Sequence, residues 1–203
     1  MRAAQTQANQ GTQLLDNIPN IPILDASAVQ KQRISFAGCL QDLKDAQSFF
    51  KAQELSSVAF AVNGQTILPV VEWRSREASL QQAIALLQSI QDTAKIHDQA
   101  EQSLTLHQAQ LTEVRHRIRY EQEAVDAFAQ AQNLQWQADR ILQSQPNSEQ
   151  LAEAEAKLQQ AINWLKTIPD GHTVSEPSQV RLVEYQDQLA KVQYQYVISH
   201  LQP

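Results

Sequence analysis

Apolar residues recur along most of this chain at the three- and four-residue steps of an amphipathic helix. Val29, Phe36, Leu40, Leu43 and Phe50 mark one such face, with Asp25 or Ser27 placed to cap its start. From Val70 to Gln145 there is neither Gly nor Pro to interrupt a helix. Inside that stretch Leu104, Leu111, Ile118 and Val125 are spaced by seven, with Val114 and Phe128 in companion positions, which is a heptad seam. Ala124, Ala131 and Ala138 draw a second line, where a neighbouring helix can approach closely. A helix over about 95–144 is on the order of 70 Å long. Pro146 and Asn147 end it, and Ser148 is placed to cap the next, which stops at Pro169-Asp170-Gly171. A loop with Pro177 leads to a last helix bearing Leu182, Tyr185, Leu189, Val192 and Tyr196. The pattern therefore predicts an all-α fold of five helices, at about 26–62, 70–91, 95–144, 148–168 and 178–201. Short connections make neighbours antiparallel. Leu111, Ile118, Val125 and Leu165 are expected in the core, and Glu121, which falls in the seam, is expected to pair with an arginine.

Two places admit competing readings. Gln91 to Lys95 contains no breaker, so a continuous helix from Val70 to Ser144 competes with a turn. Around Asn63-Gly64, Val58, Phe60 and Val62 alternate before the pair and Ile67 and Val70 follow it, as in a two-residue hairpin. The other reading makes Gly64 a left-handed helix stop. Residues 1–24, rich in Gln, Asn and Thr with Pro19 and Pro22, show neither period and read as a disordered tail.

Self-similarity favours the helix stop. Leu80-Gln81-Gln82-Ala83-Ile84 recurs as Leu158-Gln159-Gln160-Ala161-Ile162, an offset of 78. Without a gap, Leu87 then matches Leu165, Ile90 matches Ile168, Leu104 matches Leu182 and Leu111 matches Leu189. Upstream, Phe49, Ala52, Gln53 and Leu55 match Phe128, Ala131, Gln132 and Leu134 with one more residue of offset. This makes residues 25–203 one helical-repeat domain with units at about 49–111 and 128–189, sharing the long central helix. Because 49–62 then aligns with a plainly helical stretch, Val58 to Val62 reads as a helix end.

These residues resemble the Gln- and Ala-rich helical repeats of cyanobacterial proteins of mostly unassigned function. That unit reads as an alanine-spaced helix, a Pro-containing loop, W-x-x-A-x-x-x-W-x-x-A-I-x-x-L-x-x-I-P, then A-x-x-x-L-x-x-Y-x-x-x-L. Ala154, Leu158, Ala161, Ile162, Leu165, Ile168, Pro169, Leu182, Tyr185 and Leu189 fit in the second unit, and Trp73, Ala83, Ile84, Leu87 and Ile90 in the first. Leu80, Leu151 and Leu158 stand in tryptophan positions, Gln91 replaces the proline and His107 the tyrosine. The resemblance spans roughly residues 49–201. It implies an all-α interaction scaffold, often joined to a membrane anchor or another domain, and implies no activity.

Composition agrees with helices and narrows the chemistry. The 203 residues include 34 Gln and 26 Ala, against 4 Gly and 7 Pro, so phosphate-cradling glycine loops are excluded. Net charge is -6, which gives no general attraction to nucleic acid or anionic lipid. The single cysteine, Cys39, fits a reducing compartment, and its place beside Leu40 and Leu43 makes it an expected buried residue. The start, Met1-Arg2-Ala3-Ala4-Gln5, has no apolar run behind it, so no secretory signal is read there. No segment approaches the roughly 18 apolar residues of a membrane span.

Candidate chemistry is sparse. Glu113-x-x-His116 has di-iron spacing, but no other histidine has Glu three residues before it, as such a site requires. His97, His107 and His116 lie too far apart to meet on one ion from a single helix, so no metal or cofactor is expected. Arg115, Arg117 and Arg119 spread around the helix among Glu113, Glu121 and Glu123, as a solvated surface does. Trp73 and Trp164 lie on apolar faces and read as core, whereas Trp136, off the alanine line, reads as partly exposed. The expected function is a non-enzymatic, cytoplasmic scaffold that binds another protein, with Trp136, Arg115, Arg117 and Arg119 as candidate contacts. No nucleic acid is expected, and a membrane only through a partner or a removed anchor. A ligand-binding or enzymatic bundle whose site forms only in three dimensions, or a membrane-surface adaptor, is the alternative.

Overall fold

The computed structural model describes residues 26–60 and 67–201. Those residues form five α-helices and no strand: α1 (Ala26–Phe60), α2 (Val70–Gln88), α3 (His97–Leu142), α4 (Ser148–Lys166) and α5 (Ser175–Leu201). Each expected helix is present, with its ends moved by a turn or less. The tail 1–24 and the Asn63-Gly64 pair lie outside the described residues. Gln91 to Lys95 is a turn, so the continuous helix is not formed. At the end of α2 the Ser89 hydroxyl donates to the Leu86 carbonyl at 2.7 Å, and Ile90 N–H tightens onto Leu87 O at 3.2 Å. Ile90 is thereby turned into the core, 6% exposed, and the polar run that follows is released to solvent. At the start of α4 the cap is Asn147 rather than Ser148. Its side chain accepts from Gln150 N–H at 2.9 Å, and the Gln150 side-chain Oε1 accepts from Asn147 N–H at 2.9 Å, a reciprocal capping box.

Contacts divide the described chain into two compact units, residues 26–60 with 75–113 and residues 67–74 with 114–201. The first unit packs Ala52, Ala83, Leu87, Ile90 and Ala100 together, flanked by Phe49, Leu55 and Leu104. In the second, Ala131, Ala161, Ile162, Leu165 and Tyr185 cluster with Phe128, Leu134, Ile168 and Leu182. Residues that the sequence offset pairs thus fall one in each cluster: Phe49 and Phe128, Ala52 and Ala131, Ala83 and Ala161, Leu87 and Leu165. Helices α2 and α4 are both 19 residues long and start 78 apart. A further cluster in the second unit, Ala138, Leu151, Ala154, Leu158 and Val192, fills the space where α4 packs along α5.

Several burial expectations need correction. Leu165 is buried, but Leu111, Ile118 and Val125 are only half-buried. The deepest line on α3 runs through Val114, Glu121, Ala124, Ala131 and Ala138, because small side chains let a neighbouring helix come closest. Cys39 is exposed, since it lies on the N-terminal half of α1, before the first buried residue, Asp45. Trp164 is 44% exposed: Ala161 and Leu165 occupy the inward face, and Trp164 sits one position, about 100°, away from it. Trp73 is half-buried.

Candidate functional site

Trp136 stands on the outer side of α3, 55% exposed, with the Arg140 guanidinium 5.0 Å from the ring centre. One helical turn separates the two residues, so the cation is held over the indole face where the ring quadrupole attracts it. Trp136, Gln137, Arg140 and Ile141 of α3 face Gln150, Glu153 and Lys157 of α4 across an open groove of about 370 Å³. Its far wall is fixed by polar contacts, the Lys157 ammonium donating to the Gln137 side-chain Oε1 at 3.0 Å and lying 3.4 Å from Glu153. The groove therefore offers an exposed aromatic side chain beside two cations, one of which, Lys157, is already paired with the Glu153 carboxylate.

Arg115, Arg117 and Arg119 are all exposed but are not brought to this groove. From Arg119 to Trp136 is about 25 Å along α3. The structure joins Trp136 to Arg140 and Lys157 instead, a grouping that separations of 4 and 21 residues did not reveal.

A second polar cluster surrounds Glu121, which turns to the loop between α4 and α5 rather than to the expected arginine. Its carboxylate accepts from His172 Nδ1 at 2.9 Å, from Thr173 N–H at 2.9 Å and from the Thr173 hydroxyl. Glu121 is 5% and His172 4% exposed. A carboxylate at Nδ1 fixes that nitrogen as the donor. The Tyr120 ring covers the imidazole, centroids 4.5 Å apart, and Nε2 is buried without a hydrogen-bond partner. His172 itself, with Tyr120, Trp164, Thr167 and Pro169, lines a recess of about 330 Å³. A carboxylate that orients an imidazole is half of a nucleophile-activating set, but the set also needs a nucleophile within reach of the free nitrogen. With Nε2 covered, the pair holds the loop. Glu121 could be singled out in the sequence as an acid in an apolar seam; His172, between Gly171 and Thr173, carries no periodic signal.

The first unit has its own buried imidazole. His107 Nδ1 lies 3.1 Å from Gln110 Oε1 and 3.3 Å from Ser56 Oγ. The Ser56 hydroxyl also donates to Gln110 Oε1, at 3.4 Å. This Ser–His contact is not an activated nucleophile: Nδ1–H donates to an amide oxygen, and Nε2 is buried and unpartnered. Among the described residues no three His, Cys, Asp or Glu side chains are grouped to hold a metal, and no helix is long and apolar enough to cross a membrane. No family model, curated protein or solved structure matches the chain.

Proposed function

We propose that the chain is a non-enzymatic helical-repeat scaffold that binds another protein, with the groove around Trp136 as its docking surface. The observation that carries this reading is a large aromatic side chain left 55% exposed under a guanidinium, in a groove with a second cation. Tryptophan and arginine are the residue types that dominate interface energetics, and a central exposed pair is the usual anchor. The chemistry selects a partner segment that lays an apolar or aromatic residue on the indole and a carboxylate near Arg140 and Lys157. Offset-paired residues in the two cores support a unit used twice, with α3 contributing to both. An exposed lone thiol at Cys39 favours a reducing compartment such as the cytoplasm.

The test is affinity capture from the native organism, with residues 1–24 present and absent, using wild type and Trp136→Ala. The reading expects a reproducible protein partner whose affinity falls about 30-fold or more in Trp136→Ala, with helicity unchanged. Arg140→Glu should weaken capture in the same direction, whereas joint reversal of Arg115, Arg117 and Arg119 should leave it intact. A partner held equally well by Trp136→Ala, or a purified chain that carries a metal or small molecule and no protein, overturns it.

A further inference from the structure

Helix α5 carries two apolar stripes on opposite sides. The inner one, Leu182, Tyr185, Leu189, Val192 and Tyr196, is buried or half-buried against its own unit. The outer one is Val180, Val183, Asp187, Ala190, Tyr194 and Val197, spaced by three and four like the a and d positions of a coiled coil. All six are exposed, the four large apolar side chains by 56%, 59%, 68% and 53%. The chain supplies its own control. Seventy-eight residues earlier, on α3, the places of Val180, Val183, Tyr194 and Val197 are held by Gln102, Thr105, His116 and Arg119, all exposed and all polar. The packing of such a helix does not require an apolar outer stripe, yet α5 has one.

We propose that this stripe is a self-association surface, on which α5 pairs antiparallel with α5 of a second copy of the chain. The stripe is symmetric about the midpoint between Asp187 and Ala190. Antiparallel pairing places Val180 opposite Val197 of the second copy, Val183 opposite its Tyr194 and Asp187 opposite its Ala190. Residue i meets residue j and j meets i, as a two-fold interface demands. Charge agrees with this direction. Glu184 and Lys191 flank the stripe on one side, seven residues apart, so the antiparallel pair brings each Glu184 beside the Lys191 of the other copy. Glu184 already accepts from Arg181 at 2.7 Å, and a carboxylate has lone pairs for both cations. Parallel pairing instead stacks Asp187 on Asp187 inside the seam and sets Glu184 against the uncharged Gln179, Gln186 and Gln193 that flank the other side. Ala190 leaves a shallow depression bounded by Asp187, Lys191 and Tyr194, which gives the opposing carboxylate room to stay solvated.

Sedimentation equilibrium of the full chain, up to about 1 mM, tests the pairing. Wild type should dimerise with rising concentration, and Val183→Glu should be monomeric with an unchanged helical circular dichroism spectrum. Glu184→Lys and Lys191→Glu, each creating like-charge pairs, should weaken the dimer by about 2- to 20-fold. The double reversal should return it to near wild-type affinity. A wild-type chain that stays monomeric throughout overturns the proposal, whether or not another protein occupies the stripe. So does a dimer unaffected by Val183→Glu, or one that the double reversal fails to rescue.

Discussion

The loops at 89–96 and 167–174 follow helices of equal length and share most of their closing backbone bonds, yet they hold their acid in opposite environments. Ile90 N–H reaches Leu87 O at 3.2 Å, as Ile168 N–H reaches Leu165 O; Ala100 N–H reaches Ile96 O at 2.9 Å, as Ser178 N–H reaches Val174 O. Each loop also meets a carboxylate from the helix preceding its own helical pair. In the first unit it is Asp42 on α1, 2.9 Å from Lys95, with side chains 40% and 85% exposed. In the second it is Glu121 on α3, bound to His172 and Thr173, with the Glu121 and His172 side chains 6% and 2% exposed. Gly171, at φ 89°, takes a left-handed turn where the first loop has Thr93 without one, and His172 follows it under cover. The same acid position is thus a solvated ion pair in one unit and a buried loop clamp in the other. Burial, not the presence of the charge, sets its worth.

Breaking the clamp should give the largest difference between the units. Glu121→Ala leaves the buried His172 Nδ1–H and the half-buried Thr173 N–H without their acceptor and should cost about 2–5 kcal/mol, read by chemical denaturation. Core truncation should instead treat the two units alike. Leu87→Ala and Leu165→Ala remove side chains that are each 3% exposed, and each should cost about 2–5 kcal/mol. A large inequality between them would show that the two clusters are not packed equivalently.

Alkaline pH separates the units by a smaller amount. Tyr185 stands in the second unit where His107 stands in the first, and burial raises its phenol above the ordinary value of 10.0. The folded state therefore holds the proton more tightly than the unfolded chain does. That stability is complete below about pH 10 and is lost as pH rises through the raised folded value. Tyr185→Phe should flatten this alkaline loss, followed by thermal melts between neutral pH and about pH 11.

Smallest of all is the exposed pair. The hydrogen bond and charge of Asp42 raise the Lys95 pKa, so the pair's contribution is present below the ordinary lysine value and fades above the raised one. Both groups are solvated and screened, so Asp42→Ala should leave the melting temperature essentially unchanged, in low salt as in high.

Helices were legible because their signal is repeated many times: seven-residue spacing, the break at Pro146-Asn147 and the Pro169-Asp170-Gly171 stop all point to the same bounds. The depth of burial was less legible. Periodicity marked the large residues Leu111, Ile118 and Val125, whereas close approach of neighbouring helices chose the alanine line beside them. Trp164 misled for a related reason, since apolar character does not say which edge of a face the neighbour covers. The partner of Glu121 was hidden because His172 lies 51 residues away in an aperiodic loop. Trp136 was legible as exposed, but its groove partners Arg140 and Lys157 needed the packing of α4 on α3.

Native-state hydrogen exchange at the Thr173 amide tests most directly whether burial makes Glu121 a clamp while Asp42 remains a surface ion. The buried-clamp account predicts strong protection of Thr173 N–H in wild type and its loss in Glu121→Ala, with the Lys95 amide exchanging identically in wild type and Asp42→Ala. A Thr173 amide that exchanges in wild type as fast as it does in Glu121→Ala would contradict it.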